Sequence, residues 1–222
     1  MSTTSSSGNP PAAPPLGDIA LVVLAAGRST RMGTPKALVE FEGRPLVEHL
    51  LAPPLVREFG DVVVVLGRDA EAVRPLVGRL GYRHVVNPDP DRGRTGSVQA
   101  GLRALGTAFR TAFVHPVDCP IILPGTYLSV AAAIGSADVA VPVYRGNGGH
   151  PPLVSAKIIP QILAARPDEP LRGLLQARDV FRRLVEVDDP GVLVNVDRPE
   201  DLEQLNSLRS VDRPEERRNQ GG

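Results

Sequence analysis

Short apolar blocks alternate with stretches of helical periodicity along most of the chain, from residue 19 to residue 208. The blocks are rich in valine, leucine and isoleucine, and several end at glycine, asparagine or aspartate. Continuous apolar runs of this kind are typical of strands that are covered on both faces. They predict strands at residues 19–24, 62–66, 82–86, 111–117, 138–143, 151–154, 181–187 and 192–196.

Apolar residues spaced three or four positions apart predict the helices between these strands. The predicted helices cover residues 46–51, 72–80, 97–105, 124–134, 155–164 and 170–177, and a last helix opens at Pro199-Glu200-Asp201. Pro75 is expected to interrupt the second helix early. Because strands and helices alternate without a repeat period, the pattern predicts one open α/β domain with a mostly parallel sheet and some antiparallel additions.

The two ends of the chain lack this rhythm. Residues 1–17 are mainly serine, threonine, proline, alanine and glycine, with Leu16 as the one large aliphatic side chain. Burial of so little apolar surface cannot offset the entropy lost on ordering, so a disordered leader is predicted there. Residues 209–222 are charged and also lack apolar periodicity. The sequence therefore predicts a domain at 18–208 between a disordered leader and a disordered tail.

The charge balance argues against nucleic acid or membrane partners. Twenty-five basic residues offset twenty-five acidic ones, so no global field attracts either kind of polyanion. No apolar run approaches the roughly 18 residues of a spanning helix, and the N-terminus lacks the order of a secretory signal. Cys119 is the single cysteine, which excludes an internal disulfide and fits a reducing cytosol. We predict a soluble cytoplasmic protein in which any anion site is local.

A candidate for such a local site follows the first predicted strand. The strand is followed by small residues, Ala25-Ala26-Gly27, and then by a basic loop that contains Arg28, Arg31 and Lys36. A buried strand that leads into a glycine-containing basic loop commonly presents backbone N–H groups to a phosphate. The spacing of the glycines excludes two common phosphate-binding motifs. The triphosphatase loop would need four residues between its glycines, and the G-x-G-x-x-G fingerprint is missing.

The motif at residues 24–36, LAAGRSTRMGTPK, closely resembles the signature of the MobA-like NTP transferases. The resemblance continues through GRPL at 43–46, GSVQAGL at 96–102, VDCP at 117–120, GHP at 149–151 and NVDRPEDL at 195–202. It therefore covers essentially the whole predicted domain. It implies a single Rossmann-like, three-layer α/β/α domain of the nucleotide-diphospho-sugar transferase type and a nucleotidyltransferase activity (EC 2.7.7 type).

The resemblance also implies roles for the residues of the first loop. The backbone of Leu24, Ala25, Ala26 and Gly27 would hold the nucleotide and its phosphates. Arg31 would face the departing pyrophosphate, and Lys36 would face the α-phosphate or the acceptor phosphate, both as catalytic residues. Arg28 would assist nucleotide binding, although a solvated surface arginine is an equal alternative.

Two aspartates are expected to hold the metal. Asp118 follows a strand at the sheet edge where ligands bind in open α/β folds, and Asp197 lies between an apolar run and the last helix. By resemblance these are metal-binding positions for Mg²⁺, an ion that prefers oxygen ligands. The alternatives are a turn or cap for Asp118 and a helix cap for Asp197, where Arg198 replaces the usual threonine of the family. Cys119 is interpreted as a packing residue.

Further candidates line the expected nucleotide and acceptor pockets. By resemblance, Gly96 and Ser97 lie near the base and ribose. Asn87 ends a strand on the same side, with a simple Asn-Pro turn as its alternative. His150 falls where relatives shape the acceptor pocket, and a surface histidine is its alternative. His49, His84 and His115 are interpreted as structural.

The expected substrates are inferred from similarities between short segments of this chain and particular members of the family. Ala25-Ala26 and the Gly-His-Pro segment favour CTP and are most similar to molybdenum-cofactor cytidylyltransferases. The loop at 92–97 departs from these relatives, because it reads RGRTGS where they are richer in serine. A phosphorylated small molecule is therefore the expected acceptor, with molybdopterin as one candidate. The alternatives are a sugar-phosphate or alcohol-phosphate nucleotidyltransferase and a non-catalytic nucleotide-binding regulator, as a monomer or a homodimer.

Overall fold

The structure, a computed structural model, describes residues 15–27 and 33–211, with side chains through residue 208. The candidates Arg28 and Arg31 lie outside the described residues, as do residues 1–14 of the expected leader and 212–222 of the expected tail. Leu16 is buried in a 3-10 turn, Leu16–Asp18, so residues 16 and 17 of the expected leader are structured. Within the described ranges, no helix is both long and apolar enough to cross a membrane.

The main sheet has the mixed, mostly parallel arrangement that the pattern predicts. Its strands are β1 Ile19–Ala25, β4 Asp61–Leu66, β5 Arg83–Val86, β6 Thr111–Pro116, β7 Val139–Tyr144, β8 Asn147–Gly148, β9 Leu153–Ser155 and β10 Arg182–Glu186, and a separate hairpin contains β2 Glu40–Phe41 and β3 Arg44–Pro45. The strand order is β10-β7-β9-β6-β1-β4-β5, with β8 attached to β7. Strand β9 runs antiparallel to both of its neighbours, whereas the other pairings along the main path are parallel.

Helices cover both faces of this sheet and give it three layers. They are α1 Leu46–Leu51, α2 Ala70–Arg79, α3 Arg94–Leu105, α4 Pro124–Ala133, α5 Ile159–Ala164, α6 Leu171–Leu175 and α7 Asp201–Val211. One core contains side chains of α1, α2 and α4, and the other contains side chains of α3, α5 and α6. Strand β1 serves both, because Leu21 and Val23 face the first core while Ala20 and Val22 face the second.

Three local predictions are wrong. Residues 192–196 form no strand. The chain makes a 3-10 turn at Pro190–Leu193, and Val192 and Val196 are buried by packing rather than by a sheet ladder. Pro75 does not interrupt α2, because it lies on the exposed side of the helix and removes only one backbone hydrogen bond. Helix α7 continues to Val211, so the first three residues of the predicted tail are helical.

Candidate active site

A cleft of about 250 Å³ opens at the carboxyl ends of β1 and β6. One wall is the predicted loop, residues 24–27, and the opposite wall comes from Pro90, Gly93, Arg94 and Ser97. Residues 116–118 and Lys36 complete it. The amide of Val117 donates to the carbonyl of Leu24 at 3.0 Å, which ties the two strand ends together. The cleft therefore lies at the sheet edge where open α/β folds bind ligands.

Lys36, Asp118 and Asp197 meet at this cleft. The Lys36 ammonium donates to Asp118 Oδ2 at 3.0 Å and also to Asp197 Oδ1. Burial alone would lower the pKa of Lys36, but the charges and hydrogen bonds of the two carboxylates outweigh it and raise that pKa above its usual value. Lys36 is therefore a fixed cation at neutral pH.

Backbone contacts place the two carboxylates. The Asp118 carbonyl accepts from the amide of Val196 at 2.8 Å, which brings the C-terminal segment to the end of β6. The carboxylate of Asp201 accepts from the amides of Asp197 and Arg198, both at 2.8 Å. Asp201, the first residue of α7, therefore holds the backbone at residues 197 and 198, and the carboxylate of Asp197 pairs with Lys36.

The pair of aspartates fits a divalent cation. Both carboxylates already converge on one cationic atom, the Nζ of Lys36, although they come from distant parts of the chain. Among the residues that the structure describes, no group of three histidine, cysteine or acidic side chains could hold a metal. A divalent ion bound here would thus take its remaining ligands from substrate phosphates and water, as Mg²⁺ commonly does.

A buried hydrogen-bonded chain supports the turn after Asp118. His115 Nε2 lies 2.7 Å from the Cys119 carbonyl, and Tyr127 Oη lies 2.7 Å from His115 Nδ1. Since a carbonyl only accepts, Nε2 donates and Nδ1 accepts from the phenol. Burial lowers the pKa of His115 to about 4, so the ring is neutral at pH 7. Burial likewise raises the pKa of the Cys119 thiol, which fits the packing interpretation and disfavours a nucleophile.

The opposite wall holds the predicted nucleotide residues unevenly. Asn87 is buried, and its amide donates to Ser97 Oγ at 3.0 Å, so these two candidates are brought together. Ser97 lines the cleft, whereas Asn87 supports it from behind. Gly96 is packed against Pro167, where an added Cβ would lie 3.2 Å from the proline Cβ. Because Gly96 has no side chain, α3 can pack closely against Pro167, and Gly96 is not part of the cleft lining.

His150 lies beside the cleft and is not part of its lining. Burial lowers its pKa to about 4, with a smaller contribution from the Arg94 charge in the same direction, while Asp118 opposes the shift. Its Nδ1 is buried and has no hydrogen-bond partner among the described residues, which is a cost that a bound ligand could remove. The structure therefore brings His150 near Arg94 and Asp118 and rules out a solvated surface histidine.

Arg94 is a cleft residue that the sequence interpretation missed. It is the first residue of α3 and lines the same cleft as Lys36. Across residues 15–27 and 33–208 no ion-pair partner of Arg94 is present, whereas Arg92 lies near Asp89. The available signal was the arginine-rich loop at 92–97, which departs from the serine-rich loop of similar enzymes.

The chain that forms this site, with its strand-end loop, two aspartates and ion-paired lysine, also matches a known protein family. Residues 21–187 match the family of the MobA-like NTP transferase domain. The chain belongs to this family. Its fold is that of a nucleotidyltransferase, and its enzyme class is nucleotidyltransferase, as the resemblance implied.

Individual relatives differ in what their names state. The chain is 31% identical over 195 residues to the nicotine blue oxidoreductase of Paenarthrobacter nicotinovorans, covering 83% of this chain and 94% of that protein. It is 39% identical to a 2-C-methyl-D-erythritol 4-phosphate cytidylyltransferase of Pelotomaculum thermopropionicum, covering 56% of each. It is also 39% identical to a molybdenum cofactor guanylyltransferase of Xanthomonas euvesicatoria, covering 46% of this chain and 47% of that protein. The match thus spans about half the length of both transferases.

A solved structure from Mycobacterium tuberculosis H37Rv also resembles this transferase domain. The Rv0371c protein, in complex with manganese, has a TM-score of 0.73 and 26% identity, with 87% of this chain and 99% of that chain covered. A related protein of this fold thus binds a divalent metal.

Proposed function

We propose that this protein transfers a nucleoside monophosphate, with CMP favoured, from an NTP to a phosphorylated small molecule and releases pyrophosphate. The observation that supports this function is that Lys36 contacts both Asp118 and Asp197 at the cleft that residues 24–27 line. A cation and two carboxylates at a strand-end cleft suit the handling of a triphosphate and a divalent ion.

In the proposed reaction, a phosphate oxygen of the acceptor attacks the α-phosphorus of the NTP. A new P–O bond forms, and the bond between the α-phosphorus and the bridging oxygen breaks, so pyrophosphate leaves with that electron pair. No proton is taken from an ionised acceptor phosphate, so catalysis depends on positioning and on charge neutralisation.

The chain's own residues supply that positioning. The backbone of residues 24–27 binds the nucleotide on one wall, and Ser97 faces it from the other. Lys36 neutralises the α-phosphate or the acceptor phosphate, and Arg31 is assigned to the leaving pyrophosphate. Asp118 and Asp197 would hold Mg²⁺, which supplies additional positive charge to the phosphates. His150 borders the acceptor pocket in this assignment.

The choice of base and acceptor follows from the loop sequence and from the relatives. The small Ala25-Ala26 pair and the cytidylyltransferase relative favour CTP, whereas the guanylyltransferase relative names the competing base. Molybdopterin and sugar or alcohol phosphates are the acceptor candidates.

Two measurements test this function. Melting temperatures with Mg²⁺ and each NTP in turn identify the base, because a ligand that binds only the folded state stabilises it. We expect the largest rise with CTP, and a rise with GTP alone would overturn the CMP assignment. Pyrophosphate release is then measured with each candidate acceptor. Absence of release with every NTP and acceptor, despite NTP binding, would favour the non-catalytic regulator.

A redox function is the second candidate, because the relative that matches nearly end to end is named an oxidoreductase. A nucleotide cleft can also bind a nicotinamide dinucleotide, which would donate hydride to an organic acceptor. Oxidation of a reduced nicotinamide cofactor in the presence of a quinonoid dye, without pyrophosphate release, would support this candidate over nucleotidyl transfer.

A further inference from the structure

The outer side of strand β10 is an open sheet edge. Strand β10, Arg182–Glu186, ends the strand order on one side of the sheet and pairs with β7 on its inner side. No strand in the described part of the chain pairs with its outer side. Three strands separate β10 from β1, so this edge is distant from the loop that forms the candidate active site.

The backbone of β10 shows which residues face outward. The carbonyl of Phe181 accepts from the amides of Asp138 and Val139, and the amide of Val187 donates to the carbonyl of Val143. Odd-numbered residues therefore direct their peptide groups toward β7. Because this direction alternates along a strand, Arg182, Leu184 and Glu186 direct their peptide groups to the open edge.

Exposed apolar side chains are concentrated at this edge. The described residues include four exposed large hydrophobic side chains, and Leu184 is the most exposed, at 62%. Phe181 immediately precedes β10 and is 49% exposed, and Leu128 is 47% exposed on α4, which packs against β10. Only Val86 lies elsewhere, on β5. Exposed apolar side chains grouped in this way are typical of an interaction surface.

We propose that two copies of this chain pair through β10, in an antiparallel register centred on Leu184. This register places Arg182 of each copy opposite Glu186 of the other, and Leu184 opposite its own counterpart. The strand reads Arg-Arg-Leu-Val-Glu, so its outward-facing residues are complementary to themselves under a two-fold axis.

The backbone pattern and the charges agree on this register. All three outward-facing residues become hydrogen-bonded pairs, which gives on the order of six interchain backbone hydrogen bonds. A shift of the register in either direction separates the arginine–glutamate pairs and places Arg182 or Glu186 opposite an apolar or like-charged residue. Charged residues on an edge strand usually prevent pairing, but opposite charges placed directly across from each other support it.

Charge reversal at the two ends of the strand tests the pairing. Sedimentation equilibrium over micromolar concentrations measures the self-association of the wild type, R182E, E186R and the double variant R182E/E186R. The matched control is R183E, which changes the net charge as R182E does. In the proposed register Arg183 lies opposite the uncharged Val185 of the other copy, and its side chain stacks on Phe181. Arg182, Arg183 and Glu186 are all exposed, and circular dichroism verifies the fold of each variant.

The expected result is a wild-type dimer that each single reversal weakens at least about tenfold, because like charges then face each other twice. The double variant restores dimerisation, and R183E leaves it within about threefold of the wild type. A wild type that stays monomeric at every concentration would overturn the proposal. Failure of the double variant to recover, or an equal loss in R183E, would overturn the register and with it the assigned surface.

Discussion

The Lys36 ammonium lies 3.0 Å from a carboxylate oxygen of Asp118, although the two residues are 82 positions apart in the chain. The same ammonium also donates to Asp197. This lysine therefore neutralises two acidic side chains whose mutual repulsion would otherwise disfavour the site. The relationship leads directly to the first two predictions.

Lys36→Met should reduce pyrophosphate release by roughly 100-fold or more, because a fixed cation that faces the phosphates is lost. The melting temperature without metal should also fall, since Asp118 and Asp197 would face each other unneutralised, and added Mg²⁺ should recover part of that loss. Lys157→Met is the matched control, because the other lysine of the chain donates to the Ser136 carbonyl at 2.7 Å. A rate equal to that of the wild type would remove Lys36 from catalysis.

Asp118→Asn should lower turnover by orders of magnitude while the fold survives, because the amide keeps the shape but not the charge that a divalent ion needs. When activity is titrated with Mg²⁺ or Mn²⁺, the metal concentration that gives half-maximal turnover should be higher than in the wild type. Asp89→Asn serves as the control, since Asp89 is exposed and lies 3.8 Å from Arg92. Unchanged turnover and metal dependence would exclude Asp118 as a ligand.

Arg94→Gln should raise the KM for an anionic substrate about tenfold or more, because a positive charge that lines the cleft together with Lys36 is removed. Steady-state kinetics with the NTP and the acceptor varied in turn show which of the two substrates Arg94 contacts. Arg92→Gln in the same loop is the control and should change neither KM appreciably. If both variants behave like the wild type, Arg94 contacts neither substrate.

His115 should make the protein sensitive to acid. Its folded-state pKa of about 4 lies below the usual 6.5, so the unfolded chain binds more protons between these values. The neutral ring's contribution is fully present above about pH 6.5 and is lost as pH falls toward 4, which corresponds to about 3 kcal/mol in total. Urea unfolding of His115→Gln at several pH values should show a shallower decline than the wild type. His150 has a similarly lowered pKa, so some decline should remain. An identical pH dependence in both proteins would contradict this assignment.

The alternation of strands and helices was readable from sequence because its signals are local. In β1, Leu21 and Val23 face one core while Ala20 and Val22 face the other, and a strand that is buried on both sides must be apolar throughout. The loop at residues 24–27 follows it directly, so its place at the edge of the sheet follows from chain order.

Local signals failed where packing replaced hydrogen bonding. Val192 and Val196 are as apolar as strand residues, but neither lies in a strand. Val192 is buried in a turn that Asp189 holds through the amide of Gly191, and Val196 packs with Leu46 and Leu205. Pro75 lies on the exposed side of α2, where the lost hydrogen bond is tolerated. Neither outcome can be predicted from the sequence, because each depends on which other parts of the fold pack against the residue.

The sequence by itself determined the class of fold, the family and the loop that opens the cleft, because these depend on neighbouring residues and on their spacing. Only the tertiary structure decided that Asp201 holds the backbone at residues 197 and 198 and that the carboxylate of Asp197 pairs with Lys36. It also decided that Arg94 lines the cleft while Gly96 packs against Pro167. These relationships join segments up to 161 positions apart, and the packing of helices on the sheet sets such distances, which no local pattern encodes.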